Sequence, residues 1–164
     1  MTGPDSDSEA APREIERKYL LRGLPDEARA RGVPKEIEQG WIPGTTLQER
    51  LRRVRAADGS ERRFRTVKLG RGVSRIEVEE ETPADLFERM WPLTEGRRVH
   101  KRRWVVESGE RRWEIDEFLD RSLVLAEIEL EREDEPVVLP EWLAPWVVRE
   151  VTGEDAYVNV NLAR

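Results

Sequence analysis

Residues 123–132 read Leu-Val-Leu-Ala-Glu-Ile-Glu-Leu-Glu-Arg. From Ala126 onward, apolar residues and glutamates take turns. Side chains two apart on a strand point the same way, so Glu127 and Glu129 share one face and Ala126, Ile128 and Leu130 the other. The same alternation opens Glu14-Ile15-Glu16-Arg17-Lys18 and recurs between these two stretches. It predicts strands over 14–21, 36–42, 46–56, 62–69, 74–81, 98–107, 111–118 and 123–132. Ala57-Asp58-Gly59-Ser60, Gly70-Arg71-Gly72 and Ser108-Gly109 carry turn chemistry between neighbours. Short strands joined by tight turns pair antiparallel. Three segments read as helices. Pro25 to Arg31 has proline in its first turn and Gly32 just past its end. Thr82-Pro83-Ala84-Asp85 has the pattern of an N-cap, a first-turn proline and an acid, with Leu86, Phe87 and Met90 following. Thr152 and Asp155 repeat that pattern ahead of Val158 and Leu162. The expected class is α+β, built on an antiparallel sheet or barrel.

The parity of the charges is the second signal. One face carries Glu14, Glu16 and Lys18, then Arg50 and Arg52, Thr66 and Lys68, and Arg75, Glu77 and Glu79. It continues with Lys101 and Arg103, Glu114 and Asp116, and Glu127 and Glu129. The opposite face is largely apolar, with Ile15, Tyr19, Leu51, Val67, Trp104, Trp113, Ile115 and Ile128 among its members. Arg17, Arg53, Arg55, Arg65 and Arg102 break that rule. In a chain that is 39% charged, a charged pair two residues apart arises by chance at roughly 15% of positions, so one pair means little. A solvated outer face with weak ion pairs would account for one such pair. Seven strands repeat the pattern, with like charges in blocks, and a ligand of opposite sign explains that better. If the sheet closes, the charged face becomes a lumen and the helices must cover the apolar outside. Charge at that density, taken from water, needs partners. A polyanion and divalent metal ions supply them, since guanidinium and ammonium groups take phosphate oxygens and carboxylates take hard cations.

Composition sets the outer bounds. The 164 residues fit one domain, read as a disordered tail over 1–13 and a folded domain over 14–164. The absence of cysteine excludes disulfides, a thiol nucleophile and cysteine-ligated metal. The net charge of −6 argues against nucleic acid and anionic membrane as partners. No apolar run reaches the ~20 residues of a membrane span, and no signal segment opens the chain, so a cytoplasmic protein is expected. Only four of the 29 basic residues are lysine, and Lys18, Lys68 and Lys101 all fall on the charged face. His100, the single histidine, has the opposite parity and reads as structural. Gly70-Arg71-Gly72 lacks the rest of a phosphate-binding loop, and the run Glu131–Glu135 reads as a solvated loop.

Glu14-Ile15-Glu16-Arg17-Lys18 matches the E-x-E-x-K signature of the CYTH superfamily, the triphosphate tunnel metalloenzymes, and later blocks follow in family order. They are Glu49-Arg50-Leu51-Arg52, Thr66-Val67-Lys68, Arg75-Ile76-Glu77-Val78-Glu79, Lys101-Arg102-Arg103, Glu114-Ile115-Asp116, Ala126-Glu127-Ile128-Glu129 and Glu150-Val151-Thr152-Gly153. The chain resembles that superfamily over about residues 14–163. The resemblance implies an eight-stranded antiparallel β-barrel, a tunnel with a charged lumen and helices packed outside. Members hydrolyse inorganic, thiamine or nucleoside triphosphates, or cyclise ATP, with Mg²⁺ or Mn²⁺. Carried over, Glu14, Glu16, Asp116, Glu127 and Glu129 resemble metal ligands. Lys18, Arg50, Arg52, Lys68, Arg75, Lys101 and Arg103 resemble phosphate contacts, with Arg53 and Arg55 as a competing register. Glu14, Glu16, Lys18, Glu79, Glu127 and Glu129 form the implied catalytic set, Glu79 or Glu127 orienting the attacking water. The segment from Thr152 to Ala163 resembles a terminal helix that plugs one tunnel end.

The leading expectation is a metal-dependent triphosphatase that cleaves inorganic triphosphate to phosphate and pyrophosphate, as a monomer or homodimer. Cyclisation of ATP to cAMP and non-catalytic polyphosphate binding are the alternatives. The acidic set favours metal, and so catalysis over binding. The inward set lacks an aromatic slot for adenine except through Phe64 and Phe118, which favours the inorganic substrate.

Overall fold

The structure is a computed structural model that describes residues 15–44, 46–69 and 76–163. The tail at 1–13, the Gly70-Arg71-Gly72 turn and two expected site residues, Glu14 and Arg75, lie outside the described residues. Nine strands are described: β1 (Ile15–Leu21), β2 (Val33–Ile42), β3 (Leu47–Ala56), β4 (Glu61–Leu69), β5 (Ile76–Glu81), β6 (Arg98–Ser108), β7 (Arg111–Phe118), β8 (Val124–Leu130) and β9 (Val147–Glu150). They form one sheet in the order β5-β4-β3-β2-β6-β7-β8-β1-β9, with antiparallel neighbours throughout. The helices are short: α1 (Asp26–Arg31), α2 (Ala84–Met90) and α3 (Asn159–Leu162).

The first eight strands coincide with the eight expected ones to within three residues at either end. The expected closure differs. One edge of β1 pairs with β8 along its length and the other pairs with β9 over Tyr19–Leu21, and no pairing of β1 with β5 is present among the described residues. Among the described residues the sheet has nine strands and is not closed by hydrogen bonds. It curls instead, and one face of β1 to β8 surrounds a cavity.

The apolar face points out of that curl and makes the main core. Tyr19, Trp113, Ile115, Ala126, Ile128 and Leu130 lie buried beneath Leu24 and Ala28 of the α1 region and Leu143 of the C-terminal loop. Trp113, Ile115 and Ala126 are almost fully removed from water. Burying each large apolar side chain contributes about 1.5–3 kcal/mol, which makes this slab the anchor of the sheet. Over β3 to β5 the cover is thinner, and the arginines that break the parity rule lie at the outer surface. Arg53 pairs with Glu38 and Glu88 and lies 5.2 and 5.5 Å from the Phe87 and Trp91 rings. Arg17 pairs with Glu150, and Arg55 with Glu61.

A second apolar cluster joins the sheet to the C-terminal segment. Val99, Phe118 and Leu125 have lumen parity, and they pack with Val151, Trp41, Tyr157 and Leu162. The expected capping pattern of that segment is not used. The Thr152 hydroxyl accepts from the Lys18 backbone N–H at 3.0 Å and donates to Glu150, tying β1 to β9. The Thr82 hydroxyl likewise caps nothing. It is buried without a partner among the described residues, and Pro83 occupies the cap position of α2. Gly40 is required by a close approach: a Cβ there would meet the Thr94 side chain at 2.5 Å. That contact seats the 3₁₀ turn Trp91–Thr94 against β2.

Candidate active site

The cavity has a volume of about 990 Å³, and its wall is mostly ionic. Register explains how the charges meet. Across the β1–β8 pair, Glu16 faces Glu129 and Lys18 faces Glu127. Across β7–β8, Glu114 faces Glu127. Across β3–β4, Arg50 faces Thr66 and Gln48 faces Lys68; across β4–β5, Lys68 faces Glu77. Acids of β1, β7 and β8 meet the cations of β6 and Lys18, and the cations of β3 and β4 meet Glu77 and Glu79 of β5, so both signs share the lining.

The buried foundation of the site is Asp116. It is 0% exposed, and both its oxygens are taken. Lys101 Nζ donates to Oδ2 at 2.7 Å, Arg103 Nε to Oδ1 at 2.7 Å and Arg103 Nη2 to Oδ2 at 2.8 Å. Burial alone would raise the Asp116 carboxyl, but Lys101 and Arg103 together hold it well below the usual carboxylate range. Lys101, only 2% exposed, is pulled down by burial, an effect Asp116 partly offsets. Arg103 goes the other way. Burial lowers it, and the contacts with Asp116, Glu127 and Glu114 outweigh that. Asp116, expected as a metal ligand, does not line the cavity, and each of its oxygens accepts from Lys101 or Arg103.

The other expected residues among those described line the cavity or touch its wall. Glu16, Arg50, Arg52, Lys68, Glu79, Lys101, Arg103, Glu127 and Glu129 line it. Lys18 lies just behind, 3.4 Å from Glu127 and 3.8 Å from Glu16, and its Nζ donates to the Tyr157 carbonyl. Glu79 accepts from the Thr66 hydroxyl at 2.7 Å, from Arg50 at 3.4 Å and from Arg52 at 3.3 Å. Burial pushes Glu79 up, but Thr66, Arg52 and Arg50 hold it below its ordinary value. Arg52 is lowered by burial first and by Arg50 beside it second. Glu127 keeps looser contacts, to Lys18 and Arg103, both at 3.4 Å. Arg50 and Arg52 face inward while Arg53 and Arg55 pair outside, which resolves the competing register.

Further residues outside the assigned site set stand at the wall, Asn159 among them, which the family resemblance includes with Leu162 and Ala163. Gln39 and Asn159 line the cavity, and Asn159 Oδ1 accepts from Lys101 at 3.4 Å. Asn159 has no strand parity to reveal it. Glu131 and Glu135, expected in a solvated loop, stand at the cavity with Arg111, which pairs with Glu135. His100 bonds Glu36 at 2.7 Å with outward parity.

A hard cation is the partner the acidic wall fits. Glu16 and Glu129 are directly opposed like charges, a pairing that costs stability until a cation lies between. Among the described residues no three carboxylates converge tightly enough to hold an ion alone.

A curled antiparallel sheet whose inner face carries both cations and carboxylates is what the resemblance to the triphosphate tunnel proteins implies. No family model matches the chain. An inorganic triphosphatase of Nitrosomonas europaea is 36% identical over 157 residues, which cover 92% of this chain and 96% of that protein. An inorganic triphosphatase of Acetivibrio thermocellus is 34% identical over 156 residues, 93% of this chain and 94% of that one. Among solved structures, the inorganic triphosphatase NE1496 superposes with a TM-score of 0.68 at 31% identity, covering 92% of this chain and 94% of its own. A putative adenylyl cyclase from Hippeastrum shares the fold alone, with a TM-score of 0.50 at 14% identity over 73% of this chain and 80% of its own. The chain belongs to the CYTH superfamily, in the family of these inorganic triphosphatases.

Proposed function

We propose that the protein is a metal-dependent triphosphatase that cleaves inorganic triphosphate to phosphate and pyrophosphate. The observation that carries this reading is the lining of one cavity by Arg50, Arg52, Lys68, Lys101 and Arg103, matched to a short polyphosphate, together with Glu16 and Glu129, matched to a hard cation. The inorganic triphosphatases to which the chain is similar along almost its whole length support it. The reading includes a cytoplasmic monomer or homodimer acting on a small polyphosphate. Among the described residues no helix is long and apolar enough to cross a membrane.

Phosphoryl transfer asks a protein mainly for positioning and charge neutralisation. Lys18, Arg50, Arg52, Lys68, Lys101 and Arg103 supply cations along the cavity, and Arg75 is assigned to the same set. Asp116 acts behind them, fixing Lys101 and Arg103 in place. Glu16 and Glu129, with Glu14, would hold Mg²⁺ or Mn²⁺, which supplies Lewis-acid neutralisation of phosphoryl oxygens when bound. Glu127 is the better placed of the two carboxylates considered for orienting the water. Its contacts are long, whereas Glu79 is engaged by a short bond from Thr66. As water attacks the terminal phosphorus, the bond to the bridging oxygen breaks and pyrophosphate leaves with the electron pair.

One observation favours the ATP reading. A neighbouring cavity of about 330 Å³ sets Ile37, Val54, Ala56 and Phe64 among five charged residues and Ser60, and those four give it the one apolar patch on which a base could rest. The Phe64 ring, however, already carries the Arg52 and Arg62 guanidinium groups at 5.1 and 4.9 Å. Side-by-side kcat/KM values decide between the substrates. A higher value for inorganic triphosphate than for ATP, with no cAMP formed, is expected. A higher value for ATP, or cAMP as the main product, would contradict the choice of substrate.

The face assignment has its own test. Arg52→Ala is expected to lower kcat/KM by about a hundredfold, since it removes a charge-assisted contact to phosphate. Arg53→Ala, one residue away, leaves kcat/KM within about twofold. It lowers Tm by a few degrees through loss of the Glu38 and Glu88 pairs and of packing on Phe87 and Trp91. The reverse pattern in kinetics and melting would mean that the β3 register is misassigned.

A further inference from the structure

Most of the cavity wall is charged, and Gln39 is an exception. It is 3% exposed, yet its Nε2 has no acceptor among the described residues. It lines the cavity, opposite Arg52 across the β2–β3 pair and opposite Val99 across β2–β6. Arg50 Nε and Arg52 Nε on the neighbouring strand are buried donors without acceptors as well. Three unsatisfied donors thus share one wall. A buried amide N–H left unpaired costs about 1–3 kcal/mol, and nearly all buried polar groups in folded proteins avoid that cost. Three at one place point to an acceptor brought in from outside.

We infer that Gln39 is a substrate-binding residue whose side-chain amide donates to a phosphoryl oxygen of the bound triphosphate. The inference rests on the proposed function and deepens it. An uncharged donor adds something the cations do not. It fixes the direction of one oxygen without raising the site's net charge, so it orients the chain of phosphates rather than merely attracting it. Arg50 and Arg52 would draw the same end of the substrate through their Nε–H groups, so the three donors form a fixed cradle on β2 and β3.

The test uses the full chain and two variants, Gln39→Leu and Gln39→Glu. Steady-state hydrolysis of inorganic triphosphate is compared with its binding, measured calorimetrically in EDTA, and with Tm. Gln39→Leu is expected to lower kcat/KM about 10- to 100-fold, the range for a hydrogen bond to a charged group, while Tm stays the same or rises. Removing an unpaired buried donor relieves the fold rather than weakening it. Gln39→Glu should be less active still, because a carboxylate repels phosphate, and more stable, because it can pair with Arg52. The dependence of KM on salt should keep its slope in Gln39→Leu, since no charge is lost. A Gln39→Leu protein within twofold of the parent in kcat/KM would overturn the inference. So would a loss of activity that tracks a fall in Tm, which marks a structural role. If the parent binds triphosphate without cleaving it, the proposed function fails and the ratio of binding constants still decides Gln39. If the parent does neither, both fall.

Discussion

Glu129→Gln is expected to lower kcat for inorganic triphosphate by on the order of a thousandfold while leaving Tm unchanged or slightly raised. The two effects have one source. Glu129 faces Glu16 in register and opens on the cavity. It makes no ion pair or hydrogen bond among the described residues, so its neutralisation strands no cation. Removing one of two opposed like charges returns about 0.2–1 kcal/mol, which for a chain of this size is a rise of about 1–3 °C. The same step takes a hard anionic oxygen away from the proposed cation site. Loss of activity with gain of stability separates a functional carboxylate from a structural one. Activity that survives both Glu129→Gln and excess EDTA would rule out the metal assignment.

Asp116→Asn gives the opposite signature, and the second large effect. The variant leaves Lys101 and Arg103 buried without their counter-ion, and breaking such a pair costs about 3–5 kcal/mol. Tm should fall by about 10 °C. Activity should fall at least about a hundredfold as well, because the two cations lose the carboxylate that aims them at the cavity. The pH dependence carries the sign of the effect. The folded-state pKa of Asp116 lies below its unfolded value. Its contribution is therefore present above about pH 4 and lost as the pH falls further through the folded value. The acid limb of the parent's stability curve should be shallower in the variant. Burial already lowers Lys101, with Asp116 opposing that, so the alkaline limb of kcat/KM should move to lower pH in Asp116→Asn. A variant that melts within 2 °C of the parent would show that the buried triad does not hold the site.

The contrast between Glu129 and Asp116 marks how far the sequence could be read. Both have the right parity, and parity is all that a period of two reveals. It cannot tell a carboxylate that opens on a cavity from one walled in by an arginine and a lysine on the next strand, because that depends on cross-strand register. The eight long strands were legible because each runs at least six residues with unlike faces. The strand Val147–Glu150 was not: four residues without alternation carry no period. Without it the sheet reads as eight strands, whereas β9 adds a ninth against Tyr19–Leu21 of β1. Thr152 misled for a related reason. A hydroxyl ahead of an acid is a capping pattern locally, but here the nearest donor is the Lys18 backbone, far away in the chain. Gln39 gave no signal because it is neutral and has Ile37 and Trp41 as its same-face neighbours. Only the unpaired Nε2 in the folded wall draws attention to it.

If the charged cavity serves metal-assisted cleavage of a triphosphate, its products and its dependence on the metal follow directly. The direct measurement is product analysis after incubation of the purified protein with inorganic triphosphate, in Mg²⁺ or Mn²⁺ and in EDTA. The account predicts phosphate and pyrophosphate in equal amounts with either metal ion, and neither product in EDTA. Intact triphosphate under every metal condition, or turnover undiminished by EDTA, would contradict it.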